Sequence, residues 1–501
     1  TPVPAALATP LGLATSADYV RTSVPAFAQA FGTDVAFVGS PAAAVAPSAS
    51  VADTLLGQGY ALAGAGYARP GWASAEGVEA NELLIRYINS GGIKGVKKIF
   101  SWGSSLGGLI SATVAQKNPG KIAGNLPMCG VVAGPEQAFS TAMTVLYTWK
   151  TLINPTLRVA NYQSYTQALG DLAGVLGTLN AVATGQASVS PVGFPIAQAN
   201  LLGGLMGGLP TKSAVYDGIT VNQAFAQLGT AAALAGGYSP ASAGANSAAA
   251  MLQNVGAAAA LGILGRYELE QRVRAMTGMP ATDSANFNDN VNVSYTNLLS
   301  PEQKGEFGDT LNAYAAIPGL LNVMLGTLDA SKGNAAARFA ANPAAVQAVR
   351  SLPAPNGTSV VPTVLIATTY DPVVPAGNTE WLYQRLLKVQ KAKAKKTNGL
   401  VKVSQFYTVP VPEAWTVVDP GAKGVNAAAS SAQAVSGVGH CNFTIGGGIQ
   451  LINAVAALNR IVNAKTTKQI KNANKLVYGT VGVNNDGFFE PEPLKVPALS
   501  N

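Results

Sequence analysis

One histidine and two cysteines are all that a chain of 501 residues holds of the side chains most used as soft metal ligands. If the two cysteines pair, only carboxylates remain for a metal, and acidic loops such as "DSANFNDN" from Asp283 lack an EF-hand pattern. Glycine signatures of dinucleotide or P-loop sites fall in no suitable place, so neither a cofactor nor a metal is expected. Charge is scarce too, at 11% of residues against a typical quarter, which leaves a surface of small uncharged side chains common in secreted proteins. Long apolar runs are absent: even "AAAALGILG" from Ala257 to Gly265 is bounded by Asn254 and Arg266, which excludes a membrane span. No aromatic-interleaved basic stripe speaks for nucleic acid.

What is present points to a secreted, compact chain. The sequence begins "TPVPAALATP", with no initiator Met, basic n-region or apolar h-region, so the expectation is a mature form after leader removal. In an oxidising compartment the two cysteines would be expected to pair. The net charge is +8, and its densest source is "KVQKAKAKKTNGLVK" from Lys388 to Lys402. That stretch reads as a solvated helix end and loop, with an anionic surface or polymer as the alternative.

Length suits two or three units, or one large α/β domain with a big insertion. Short apolar runs alternate with helical patterns at both ends of the chain, the pattern of a mostly parallel sheet with crossover helices. The expected strands are Val35 to Val38, Tyr60 to Ala65, Lys98 to Trp102 and Gly124 to Val132, then Pro362 to Thr368 and Val401 to Val409. Helical spacing marks Val78 to Ile88 and Ile449 to Val462. Between them, residues 135–352 carry few strand signals, are rich in Ala, Leu and Gly, and read as a mainly helical insertion. The expected division is therefore 1–134, 135–352 and 353–501, the outer two forming one core.

The third expected strand runs straight into "SWGSSLGGLISATVAQ", where Gly103, Ser105 and Gly107 make G-x-S-x-G between strand and helix. A serine there takes a strained turn, its flanking residues must be small, and the following helix N-terminus favours negative charge. Chance alone gives roughly 0.4 such matches in a chain this rich in Gly and Ser, so the strand, turn and helix context carries the signal. A nucleophilic serine needs a base, and His440 in "GVGHCNFT" is the only histidine; no S-x-x-K offers a lysine instead. A lone histidine is more often structural, but this one lies in a Gly-rich loop between the last expected strand and the closing helix. A carboxylate to orient it should follow a strand between the two. Asp371 in "PTVLIATTYDPVVP" fits that position, and Asp419 in "VVDPG" competes.

Ser105, Asp371 and His440, in this order and context, resemble the α/β-hydrolase superfamily over roughly residues 30–134 and 360–463. "GYALAGAGYARPGWA", "LPMCG" and "GHCNFT" are further similar to secreted actinobacterial hydrolases with a large helical lid. The resemblance implies an α/β-hydrolase fold, with the helical insertion as lid, and a serine hydrolase of the carboxylesterase kind acting on a small or polymeric ester with a hydrophobic or aromatic group. A peptidase or amidase, an acyltransferase and a non-catalytic binding protein are the alternatives. It implies an oxyanion hole from the backbone N–H of Leu106 and a second donor near Gly39-Ser40-Pro41, for which Ser40 is the candidate. Tyr67 and Trp72 are candidates for the acyl pocket, or core aromatics. In this fold Cys129 and Cys441 both fall near the carboxyl edge of the sheet, so a Cys129–Cys441 disulfide pinning the histidine loop is expected, with two buried thiols as the alternative. That resembles tannases and feruloyl esterases, whose other cysteine directly precedes the serine; here Ser104 does so, which leaves their specificity behind.

Overall fold

The computed structural model describes residues 49–67, 71–183, 186–209, 243–314, 318–369, 371–408, 440–441, 443, 449–478 and 494. Its centre is a four-stranded, all-parallel sheet in sequential order, β1 (Phe100–Ser104), β2 (Gly124–Met128), β3 (Thr363–Thr368) and β4 (Val403–Thr408). Parallel neighbours need crossover connections, and helices α3 (Leu106–Lys117) and α11 (Gly377–Thr397) supply them for β1–β2 and β3–β4. β2 and β3 are also neighbours, yet the whole inserted segment separates them in sequence.

Side chains alternate across the strands, as the two-residue strand period requires. Leu126, Met128, Val364, Ile366 and Phe406 join one cluster with α1 (Ala49–Gly57), α12 (Ile449–Asn463) and α13 (Thr467–Tyr478). Leu365 and Val403 face the other way, against Ala112 of α3 and Leu382 and Leu386 of α11. Beside these, α2 (Ser74–Tyr87) packs Val78 and Ile85 on Leu109, Ile110 and Val114 of α3. A sheet covered on both faces explains why β2 and β3 are buried throughout. Pro127 is unusual in so central a strand, since it has no N–H for a ladder. The bonds on its β3 side run from Asn125 N to Pro362 O and from Cys129 N to Ile366 O, and Pro127 occupies the missing rung between them.

The four observed strands and the helices at Val78 and Ile449 lie where the sequence places them, within a few residues. The expected strand Val35 to Val38 lies outside the described residues. Tyr60 to Ala65 differs from expectation: its backbone joins no ladder among the described residues, although Tyr60 and Leu62 pack against the same buried cluster as Phe100 and Trp102 of β1.

Between β2 and β3 the chain forms α4 (Pro135–Leu152), α5 (Tyr165–Ala183), α6 (Ile196–Gly207), α7 (Ala243–Thr277), α8 (Pro301–Tyr314), α9 (Leu320–Asp329) and α10 (Pro343–Arg350). All twelve residues of α6 are buried, which requires close neighbours on every side. Gly203 and Gly207 bring it against α4, where an added Cβ would meet Thr148 at 3.5 Å and Thr141 at 3.4 Å. Two buried arginines hold the segment together. Arg266 of α7 pairs with Glu270 at 3.2 Å, donates to Asn288 at 2.9 Å and to Asn286, and lies over Phe287. Arg338 lies over Tyr147 and Tyr295, and donates to the carbonyls of Asn290, Val293 and Leu328. Glu270 accepts the backbone N–H groups of Asn161 and Tyr162 at 2.9 and 2.8 Å, and its carboxyl is pushed up by burial against the opposing pull of Arg266. Among the described residues, no helix is long and apolar enough to cross a membrane.

Candidate active site

Three side chains distant in sequence meet at the carboxyl end of the sheet. Ser105 follows β1 directly, Asp371 follows β3, and His440 comes from the loop before α12. The His440 Nε2 lies 2.7 Å from Ser105 Oγ, and its Nδ1 lies 2.8 Å from Asp371 Oδ2.

The serine is held in an unusual backbone conformation, φ 55° and ψ −121°. For a residue with a Cβ such a conformation costs about 1–3 kcal/mol and persists only where the surroundings enforce it. Here Ser105 N donates to Met128 O at 3.0 Å, extending the β1–β2 ladder. Its carbonyl accepts from Gly108 at 2.9 Å and from Val131 at 3.3 Å, which ties it to both α3 and the loop after β2. The turn also needs space. A Cβ on Gly103 would stand 2.3 Å from Gly107 O, and one on Gly108 would stand 2.6 Å from Gly130 Cα. At Gly107 a Cβ would meet nothing within 4 Å. The steric demand therefore falls on Gly103, Gly108 and Gly130, whereas the G-x-S-x-G pattern draws attention to Gly103 and Gly107. The "GG" doublet was the available signal for Gly108.

Asp371 is fully buried. Its Oδ1 accepts the backbone N–H groups of Val373 at 3.0 Å and Val374 at 2.8 Å, leaving Oδ2 for the histidine. This is the turn that an Asp makes with the amides two and three residues on, and "DPVV" encodes it. An ionised carboxylate accepts only, so the Nδ1 of His440 must carry the proton it donates. The Nε2 lone pair then faces the Ser105 hydroxyl. Such an arrangement can take a proton from the serine as its oxygen attacks an electrophile. The rival Asp419 lies outside the described residues.

Leu106 is the first residue of α3, so its N–H has no partner within the helix and sits beside the serine. Ser40 lies outside the described residues. Tyr67 packs against α2 and α3, hydrogen-bonded to Asn81, and burial raises its phenol pKa above the ordinary value despite that bond. Trp72 stands edge-on to Phe139 of α4 at 4.9 Å, within the cluster that includes Leu106 and Val131.

Cys129 and Cys441 form a disulfide with Cα atoms 5.3 Å apart. Both have positive φ, 40° and 58°, so each lies in a tight reversal of the chain. Cys441 Sγ is 3.7 Å from His440 Nε2. The bond fastens the residue after the histidine to the residue after β2, and Cys129 N is itself bonded to Ile366 O at the end of β3. These two sulfurs and His440 crowd together closely enough to suggest a metal centre. Bonded to each other, however, the sulfurs offer no thiolate.

Comparison with protein-family models, with curated proteins and with solved structures finds no match to this chain.

Proposed function

We propose that this chain is a secreted serine hydrolase of the α/β-hydrolase type that cleaves a carboxylic ester with a hydrophobic or aromatic group. The hydrogen-bonded series Ser105, His440, Asp371, with the serine held at positive φ where strand turns into helix, carries this reading. Ser105 Oγ attacks the acyl carbonyl while its proton passes to His440 Nε2, and the imidazolium formed is stabilised by the Asp371 carboxylate. The carbonyl oxygen becomes an oxyanion, toward which the Leu106 N–H donates, with Ser40 as the proposed second donor. Collapse breaks the ester bond, and the leaving alkoxide takes the proton from Nε2. Water then repeats the sequence on the acyl-enzyme, and the acid departs.

The inserted helical segment, residues 135–352, serves as the lid in this reading. Its approach to the site supports this: a Cβ added to Gly208, at the end of α6, would stand 3.1 Å from Pro375 in the Asp371 loop, and Phe139 of α4 and Gly265 of α7 lie beside Trp72. Its Leu, Ala and Met content suits an apolar acyl or aromatic group.

The test is labelling by a fluorophosphonate probe together with turnover of p-nitrophenyl esters against aminoacyl anilides. Wild type should be labelled and should prefer the esters, and Ser105→Ala should lose both activities. A wild type that is never labelled would end the catalytic reading, and preference for anilides would make it a peptidase.

A further inference from the structure

The end of the sheet opposite Ser105 has a distinct electrostatic character. Three stretches meet there: residues 91–104 before and through β1, residues 388–402 leading into β4, and residues 449–478 forming α12 and α13. Together they contain fourteen lysines and arginines, all but Arg460 being lysine, and no Asp or Glu. Their convergence is fixed by contacts. Lys98 donates to Asn463 Oδ1, Lys402 Nζ donates to Val462 O at 2.8 Å, and Gln390 of α11 accepts from Lys402 N at 2.7 Å. Lys402 thus sits among like charges, and its ammonium pKa is lowered by burial first and by Lys465 and Lys98 next.

Two helices extend the charge outward in rows. On α13, Lys468, Lys471 and Lys475 are exposed while Ile470, Ala473 and Val477 are buried. On α11, Lys388, Lys391 and Lys395 are exposed at the same i, i+3, i+7 spacing, opposite Leu382, Leu386 and Gln390. Among the described residues, none of these lysines has a carboxylate partner. Because α11 and α13 pack on opposite faces of the sheet, the rows wrap around its edge.

We propose that this edge is a docking surface for a flexible anionic polymer of the acidic-polysaccharide kind. Lysine ammonium groups are hydrated point charges that accept anions in many geometries, whereas Arg forks recognise particular ones. Residues 388–402 and 449–475 hold no aromatic side chain to stack a nucleobase, and Phe100 and Trp102 in the first stretch pack against the core cluster, which disfavours single-stranded nucleic acid. A flat bilayer would reach only one side of a surface that bends around an edge, and a chain can follow both rows. The strands place this surface about 17–20 Å from the serine end, so a bound polymer would leave that end open. The inference is independent of the ester-hydrolase reading.

Soluble polygalacturonate is the probe, titrated against the full chain between about 50 mM and about 200 mM salt. Lys391→Glu, Lys395→Glu and Lys468→Glu combined should weaken binding about a hundredfold at the lower salt and make the log K against log salt slope shallower by about two. The same charge change away from the edge, Arg158→Glu with Lys304→Glu and Lys332→Glu, should weaken it far less. Both triple variants should keep wild-type p-nitrophenyl ester turnover and melting temperature, or, if wild type turns over no ester, the melting temperature alone. Equal weakening by the two triples would overturn the proposal, as would absence of wild-type binding. Tighter binding of phosphatidylglycerol vesicles or of DNA than of polygalacturonate would also overturn it.

Discussion

Asp371→Asn is the most informative single substitution, because the surroundings dictate how the new amide must sit. Oδ1 of Asp371 receives two backbone N–H groups, from Val373 at 3.0 Å and Val374 at 2.8 Å. Asparagine can satisfy them only with its carbonyl oxygen, so its NH2 turns toward His440 Nδ1, 2.8 Å away in the native protein. Turning the amide over would point its NH2 at those two donors and leave a fully buried amide unpaired, at a cost of about 1–3 kcal/mol. The imidazole must then accept at Nδ1 and carry its proton on Nε2, where it faces Ser105 as a donor. A base of the wrong tautomer is no base, and the comparable substitution in serine proteases costs about 10⁴ in kcat. The same order is expected here, with little loss of stability because the side chains are nearly isosteric. The assay is single-turnover acylation by a p-nitrophenyl ester alongside thermal unfolding. Retention of activity within about tenfold of wild type, in a variant that folds normally, would refute the assigned role of Asp371.

Steric demand around the serine turn predicts that Gly108→Ala and Gly103→Ala lose about 1–3 kcal/mol in denaturant unfolding, with activity falling alongside. Gly107→Ala, which meets open space, should stay near wild type in the same measurement. Reduction of the disulfide, or Cys129→Ala with Cys441→Ala, frees the residue next to the base. Closing a 312-residue separation stabilises by about 3–5 kcal/mol, so calorimetry should show a lower melting temperature and ester turnover should fall more than Ser105 labelling at saturation. For Asp329, burial alone would raise the carboxyl pKa, but hydrogen bonds from Thr296, Tyr295 and Ser294 outweigh it and hold it below the ordinary range. A depressed folded-state pKa contributes stability above the unfolded value and loses it as pH falls through the folded one. Asp329→Asn should therefore be less stable than wild type near neutral pH, with the gap closing below about pH 4 in urea titrations.

Four of the six expected strands were legible because a sheet buried on both faces demands continuous apolar runs, which few other local structures use. Tyr60 to Ala65 has such a run without an observed ladder, since pairing depends on a neighbour that local sequence does not specify. That Ser105 and His440 would meet was readable from scarcity, because a serine in need of an imidazole partner has one histidine to draw on. Asp371 was readable as a position after a strand, yet the two backbone donors that orient it depend on the turn that Pro372 begins. The demand on Gly108 and Gly130 is a contact between two backbones 22 residues apart in sequence, so the "GG" doublet marks Gly108 as small but nothing local ties it to Gly130. The buried Arg266 and Arg338 were equally hidden. A sequence marks an arginine as a charge, and only the fold shows which carbonyls and aromatic rings surround it.

The separation of β2 from β3 by the inserted helices bears on the order in which the molecule becomes complete. Ser105 and His440 are 335 residues apart, and β2 cannot acquire its β3 neighbour until the insertion has been synthesised. During synthesis the chain presents the Ser105 turn, then the helical segment, then Asp371, and His440 last of these. Any fragment released before His440 emerges would carry Ser105 without the imidazole that hydrogen-bonds to it. The disulfide between Cys129 and Cys441, which spans 312 residues, likewise can close only once both of its cysteines have been made.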